Sequence, residues 1–155
     1  MGMEIERKFL LVNDDWRQSG IKGLHLSQGY LNEEGNTVRV RTADDKGYLT
    51  IKSKTKGISR MEFEYEIPLD DAMQLLTLSQ TPVVEKYRYR IPFEGHLWEV
   101  DEFCGDNSGL VVAEVELKSE EEPYVKPAWI GEEVSADKRY RNTNLAKHPY
   151  KEWEK

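Results

Sequence analysis

The residues with the clearest chemical potential stand at the start of the chain, in the segment 3–10, MEIERKFL. Side chains alternate between the two faces of an extended strand, so Glu4, Glu6 and Lys8 share one face. Carboxylates are ligands for hard divalent cations, and an ammonium group binds phosphate oxygens. The segment therefore forms either the solvated face of an ordinary sheet or a wall that binds a charged ligand.

The same alternation recurs along the chain, with acidic rows and basic rows on different segments. VRVR, LTIKSK and EKYRYRI carry the basic rows, and MEFEYEI, WEVD and VAEVELK carry the acidic rows. One charged row is usually a solvated face, and such a face also contains Ser, Thr, Asn and Gln. These rows contain almost only Asp, Glu, Lys and Arg. Surface ion pairs contribute only about 0–1 kcal/mol each, so stability does not require this many, and the composition favours a functional lining.

The segments that carry these rows have the period-two pattern of β-strands. Eight strands are predicted, at 3–10, 24–31, 37–42, 48–54, 60–68, 84–92, 97–103 and 111–118. Short turns join several of them, which makes neighbouring strands antiparallel. Helices are predicted at 69–80 and 135–148, with a short one at 13–20. Since eight strands can close around one small ligand, we expect a mainly β (α+β) fold, an eight-stranded antiparallel barrel with a charged lumen and a few flanking helices.

Composition narrows the classes of partner. The 155 residues suit a single domain over 1–155, and the net charge of −7 argues against a nucleic-acid or membrane-surface partner that depends on a positive field. Cys104 is the single cysteine, which fits a reducing cytoplasm, and no apolar run is long enough for a membrane span. No GxxxxGK[ST] loop is present, so a P-loop ATPase is unsupported.

The ordered set of motifs resembles one known family. ExExK at 4–8 is followed by VRVR, TIKSK, EKYRYR, WEVDEF, AEVELK and DKRYRN, and this order is similar to that of the CYTH superfamily, the triphosphate tunnel metalloenzymes. The resemblance runs from Glu4 to about Leu145 and is strongest to the short bacterial inorganic triphosphatases. It implies an eight-stranded β tunnel that binds a small-molecule triphosphate together with Mg²⁺ or Mn²⁺.

The resemblance also implies roles for individual residues. The metal-binding carboxylates would be Glu4, Glu6, Glu114 and Glu116. The phosphate-binding cations would be Lys8, Arg39, Arg41, Lys52, Lys86 and Arg88, with Lys138 and Arg139 in a C-terminal element near one tunnel mouth. The catalytic group would comprise Lys8 together with Glu62, Glu64 and Asp101, three acids that would either support the metal- and phosphate-binding side chains from behind or orient water. Glu99 is a further acid of this kind, and Arg90 and Lys54 extend the basic rows.

We expect metal-dependent hydrolysis of the terminal phosphate of inorganic tripolyphosphate, without a covalent intermediate. One alternative is a class IV adenylyl cyclase or a thiamine or nucleoside triphosphatase. Another is a polyphosphate- or nucleotide-binding module with little turnover, although such a module would not need the acidic rows. A homodimer is a further expectation to test, because an outward apolar face requires cover by helices or by a second subunit.

Overall fold

A computed structural model describes residues 2–153, and within them nine strands form one antiparallel sheet. The strands are β1 (Gly2–Leu11), β2 (Leu24–Tyr30), β3 (Thr37–Ala43), β4 (Lys46–Lys52), β5 (Ser59–Ile67), β6 (Val84–Phe93), β7 (His96–Phe103), β8 (Val111–Glu116) and β9 (Ile130–Glu133). Neighbours follow the order β5-β4-β3-β2-β6-β7-β8-β1, and a further β1–β5 pairing closes the ring. The predicted eight-stranded antiparallel barrel is confirmed.

Strand β1 closes the barrel because different parts of it pair on its two sides. Residues 2–5 pair with β5, which sets Glu4 opposite Arg60. Residues 6–10 pair with β8, which sets Glu6 opposite Glu116 and Lys8 opposite Glu114. Closure therefore brings the two ends of the acidic pattern, which lie more than a hundred residues apart in sequence, to the same wall.

The outward apolar face of β1 and β6–β8 is covered by connecting chain. Phe9, Trp98 and Val115 are fully buried beneath a cluster that includes Trp129. A second cluster packs the C-terminal segment, including Leu145, against Val84 and Val112 on the neighbouring part of the wall. These apolar clusters pack on the outside of the barrel wall, and the inward-facing residues of the strands line the lumen.

The helices differ from their predicted bounds. Helix α1 is Leu69–Leu76, shorter than the predicted 69–80, and the segment 13–20 contains a 3₁₀ helix at Asp15–Ser19. The helix predicted at 135–148 is interrupted. It consists of a 3₁₀ helix at Lys138–Tyr140 and the helix α2 at Asn142–Lys147. The reason is local, because Arg141 is extended and the Tyr140 carbonyl accepts a hydrogen bond from the Lys8 ammonium instead of continuing a helix.

Strand β9 was not predicted. Its four residues, IGEE, include a glycine and two glutamates, which have weak β propensity. It pairs with β1 at Phe9 and Leu11, further along β1 than the residues that pair with β5. In residues 2–153, none of the helices combines the length and the apolar character that a membrane span requires.

Candidate active site in the barrel lumen

The charged faces of the strands enclose a cavity of about 230 Å³. Twelve of the fifteen predicted site residues line it: Glu4, Glu6, Lys8, Arg39, Arg41, Lys52, Glu62, Glu64, Lys86, Arg88, Glu114 and Glu116. Period-two alternation turns each row inward, and closure of the sheet makes the separate rows face one another. The remaining three predicted residues, Asp101, Lys138 and Arg139, lie outside this lining.

The lining is richer in cations than in acids. Among described residues, the lining contains nine cationic side chains and seven carboxylates; Arg60, Arg90, Arg141 and Glu99 join the predicted set. The whole chain has a net charge of −7, so positive charge is concentrated in the interior. A narrow, low-dielectric cavity with this balance attracts a compact anion of high charge.

Two carboxyl groups meet on the β1–β8 wall. Glu6 and Glu114 are hydrogen-bonded to each other, and burial and the neighbouring Glu114 raise the pKa of Glu6 well above its usual range. Although burial acts in the opposite direction, Lys8 and Arg88 hold the pKa of Glu114 well below its usual range. The two carboxyl groups thus lie against each other at a place where a divalent cation would satisfy both carboxylates.

The donor set fits a metal that keeps much of its own hydration. Among residues 2–153, no three His, Cys, Asp or Glu side chains form a ready cage for a cation. Magnesium typically takes only one or two carboxylates, with waters and substrate phosphates completing its octahedron. Glu6 and Glu114 meet that requirement, and Glu116, opposite Glu6 in the register, also lines the cavity.

Glu4 has a different environment from Glu6. Its carboxylate lies 3.0 Å from the Lys52 ammonium and 2.9 Å from Nε of Arg60. Burial opposes ionisation, but these two cations lower the pKa of Glu4 below its usual value. The structure thus places Glu4 in the lining as an ionised partner that holds two cations.

Asp101 lies behind the lining, where it holds two cations. Its side chain is 0% exposed and accepts hydrogen bonds from Lys86 Nζ at 2.7 Å and from Arg88 Nε at 2.7 Å and Nη2 at 2.9 Å. Of the two roles expected for Asp101, this position favours support of phosphate-binding cations from behind. Lys86 also donates to Oδ1 of Asn142 at 3.0 Å, and burial lowers its pKa to about 7 although Asp101 acts in the opposite direction.

The two acids on β5 also pair with cations. Glu64 lies 3.4 Å from Nη2 of Arg39 and accepts a hydrogen bond from Thr50 at 3.0 Å. Glu62 lies 3.3 Å from the Lys52 ammonium. Both carboxylates reach the cavity, so they fix the orientation of the basic side chains while remaining accessible to a bound ligand.

The C-terminal segment brings other residues to the lumen than those predicted. Lys138 and Arg139 are exposed, and Arg139 pairs with Asp137 at 2.7 Å. Arg141, Asn142 and Thr143 line the cavity instead. Alternation on a strand could have identified Arg60, which shares the face of Glu62, but the interrupted helix gave no period from which Arg141 could be assigned.

Arg141 offers a direct check on this placement. We expect Arg141→Ala to raise the KM for tripolyphosphate by roughly tenfold, because a charge-assisted phosphate contact is lost. Lys138→Ala is the matched control, since it removes an exposed cation three residues away. The measurement is phosphate release for both variants, and an equal rise in KM would show that only general surface charge matters.

Comparisons with known proteins agree with the geometry. The CYTH domain model matches residues 2–150. An inorganic triphosphatase from Acetivibrio thermocellus is 52% identical over 153 residues, covering 97% of each chain. One from Nitrosomonas europaea is 38% identical over 149 residues, covering 92% of this chain and 96% of its own. The crystal structure of the inorganic triphosphatase NE1496 superposes with a TM-score of 0.64 at 34% identity, covering 92% of this chain and 96% of that one.

Proposed function

Because this chain belongs to the CYTH family, we propose that it is a metal-dependent inorganic triphosphatase that hydrolyses the terminal phosphate of tripolyphosphate in the barrel lumen. The observation that carries the proposal is the Glu6–Glu114 carboxyl pair, set within a lining that contains more cations than carboxylates. The two curated relatives with the name inorganic triphosphatase support the same substrate class.

The basic side chains would bind the phosphates along the cavity. We assign this role to Lys8, Arg39, Arg41, Lys52, Lys86 and Arg88, and we add Arg60 and Arg141 because they share the lining. Ion pairs to acids keep several of these cations in place before substrate arrives. Each added phosphate gains charge-assisted contacts, so three linked phosphates should bind better than two.

Glu6, Glu114 and Glu116 would hold Mg²⁺ or Mn²⁺. When bound, such an ion neutralises phosphate charge and increases the acidity of coordinated water. Glu4 and Asp101 would contribute by orienting cations, and Glu62 and Glu64 remain candidates for orienting the attacking water. Phosphoryl transfer depends mainly on positioning and charge neutralisation, which supports direct attack by water.

Other features of the chain support further proposals. The exposed apolar side chains Ile51, Met61 and Phe63 lie on the outer face of β4 and β5, where a second copy could cover them in a homodimer. The single cysteine supports a cytoplasmic location.

We also propose that residues 1–155 act as one CYTH domain with no nucleic-acid or membrane partner.

A screen of phosphate release tests the proposed substrate. We expect tripolyphosphate to be hydrolysed well and pyrophosphate poorly, because a shorter anion leaves part of the cationic lining without a partner. ATP, GTP and thiamine triphosphate complete the panel, each with magnesium or manganese. Equal turnover of pyrophosphate and tripolyphosphate would contradict the proposal. Cyclic AMP formation that exceeds phosphate release from ATP would favour a cyclase instead, and tight binding without release would favour a binding module.

A further inference from the structure

Arg41 differs from most other cations of the lumen in its partners. Seven of the nine lining cations lie within 4 Å of at least one carboxylate: Lys8, Arg39, Lys52, Arg60, Lys86, Arg88 and Arg90. Arg41 and Arg141 have no such ion pair among the described residues. Arg141 belongs to the interrupted C-terminal segment, whereas Arg41 lies in the middle of β3. Arg41 is therefore an uncompensated cation within the barrel wall itself.

The partner that Arg41 does have is a neutral amide. Gln28 lies on β2, directly opposite Arg41 in the strand register, and its side chain is 0% exposed. Its Oε1 accepts hydrogen bonds from Nε of Arg41 at 2.9 Å and from Nη2 at 2.7 Å. Its Nε2 donates to the Tyr30 hydroxyl at 2.9 Å. Because both ends of the amide are engaged, the guanidinium is held in one orientation.

A carboxylate in place of this amide would have nearly the same shape but the opposite electrostatic effect. It could accept the same two hydrogen bonds, and it would neutralise Arg41. Burial, followed by the neighbouring Arg39 and Arg88, lowers the pKa of Arg41 to about 9. Arg41 is thus charged at neutral pH in surroundings that disfavour its charge, and an incoming anion would relieve that cost.

We propose that Gln28 is a positioning residue that directs Arg41 toward bound phosphate while leaving its positive charge uncompensated. Gln28 lies outside the cavity lining, so it acts through Arg41 and not by contact with substrate. This inference rests on the proposed function, because it assigns the charge of Arg41 to the recognition of a triphosphate. It accounts for a buried glutamine on β2, where seven of the other eight lining cations have a carboxylate within 4 Å.

Two substitutions separate charge from geometry. Gln28→Glu keeps the acceptor and adds the compensating charge, whereas Gln28→Met has a similar size but loses the hydrogen bonds without adding charge. The dissociation constant for tripolyphosphate is measured by calorimetry in EDTA, so that no turnover occurs, and the melting temperature is measured without phosphate. KM and kcat are then measured with magnesium.

For Gln28→Glu we expect the dissociation constant for tripolyphosphate and the KM each to rise on the order of 10- to 100-fold, because Arg41 then has a competing internal anion. Its melting temperature without phosphate should equal or exceed that of the wild type, because the new carboxylate is paired. Gln28→Met should melt lower, yet bind tripolyphosphate more tightly than Gln28→Glu. Gln28→Glu should thus be the more stable of the two variants but the weaker binder of tripolyphosphate. A purely structural role of Gln28 does not produce this reversal.

Three results would overturn the inference: tripolyphosphate binding by Gln28→Glu within about threefold of the wild type, weaker binding by Gln28→Met than by Gln28→Glu, or failure of Gln28→Glu to fold. The last result counts because an uncompensated Arg41 should accommodate a carboxylate at this position. A wild-type protein that neither binds nor hydrolyses tripolyphosphate would instead refute the proposed function, and the inference would fall with it.

Discussion

Glu6→Gln is expected to lower tripolyphosphate turnover on the order of 10²–10³-fold. The substitution preserves the size of the side chain but removes a charge that a hard cation needs. Its amide can donate a hydrogen bond to Glu114, in place of the hydrogen bond between the two carboxyl groups. The barrel should therefore remain folded, and high magnesium should restore part of the activity. The measurement is phosphate release as a function of magnesium concentration.

Lys8→Ala provides the contrast that separates metal loss from loss of a phosphate contact. Lys8 lines the same wall, 3.9 Å from Glu114, but it carries the opposite charge. We expect its removal to reduce activity as well, with no restoration at high magnesium. Circular dichroism serves as the folding control. A folded Glu6→Gln protein with unchanged kinetics would contradict the metal assignment.

Asp101→Asn should destabilise the protein by about 3–5 kcal/mol. Asp101 is the shared acceptor for Lys86 and Arg88, and the Lys86–Asp101 pair is completely buried. Asparagine keeps the shape but leaves the buried Lys86 ammonium without its counterion and leaves Arg88 with Glu99 alone, at 3.3 Å. Phosphate release should also fall, since both cations lose the group that orients them. Urea denaturation gives the free energy of unfolding for the wild type and the variant.

Glu99→Gln is the matched control for Asp101→Asn. Glu99 also pairs with two arginines, at 3.3 Å from Arg88 and 3.2 Å from Arg90, but its side chain is 24% exposed. Because solvent screens a partly exposed pair, the loss of stability should stay below about 1 kcal/mol. If both variants lost the same free energy of unfolding, burial of the Asp101 cluster would not be the source of its stabilising effect.

The Asp101 cluster also predicts how stability depends on acid. Burial alone would raise the pKa of Asp101, but Arg88 and Lys86 outweigh it and lower the pKa below its ordinary value of 3.8. The stabilisation is therefore present above about pH 3.8 and is lost as the pH falls toward the lower folded-state value. Asp101→Asn should lose less stability than the wild type over this acid range.

Alternation was enough to predict most of the barrel and its lining. The rows that contain Arg39, Lys52 and Glu114 each turned toward the lumen because the period of a strand leaves only two faces. Alternation does not indicate how deeply a side chain is buried or which side chain it pairs with. Glu99 and Asp101 lie on the same face of β7, yet one lines the cavity and the other is buried behind two cations.

Pairings that depend on the closed barrel could not be predicted. Glu4 and Glu6 look equivalent in the sequence, but β5 supplies Arg60 to Glu4 while β8 supplies Glu114 to Glu6. The C-terminal helix was wrong as one continuous element because the carbonyl of Tyr140 is taken by Lys8, a residue from the other end of the chain. Gln28 carried no signal, since its role depends on the partner across the sheet.

The central claim is that the lumen hydrolyses the terminal phosphate of tripolyphosphate with a divalent metal. Phosphorus-31 NMR of the wild-type protein with tripolyphosphate and magnesium tests it most directly, with a parallel sample in excess EDTA. We expect orthophosphate and pyrophosphate to form in equal amounts, pyrophosphate to persist, and both signals to be absent under EDTA. Tripolyphosphate that remains intact with magnesium, or products that form at the same rate under complete chelation, would contradict the claim.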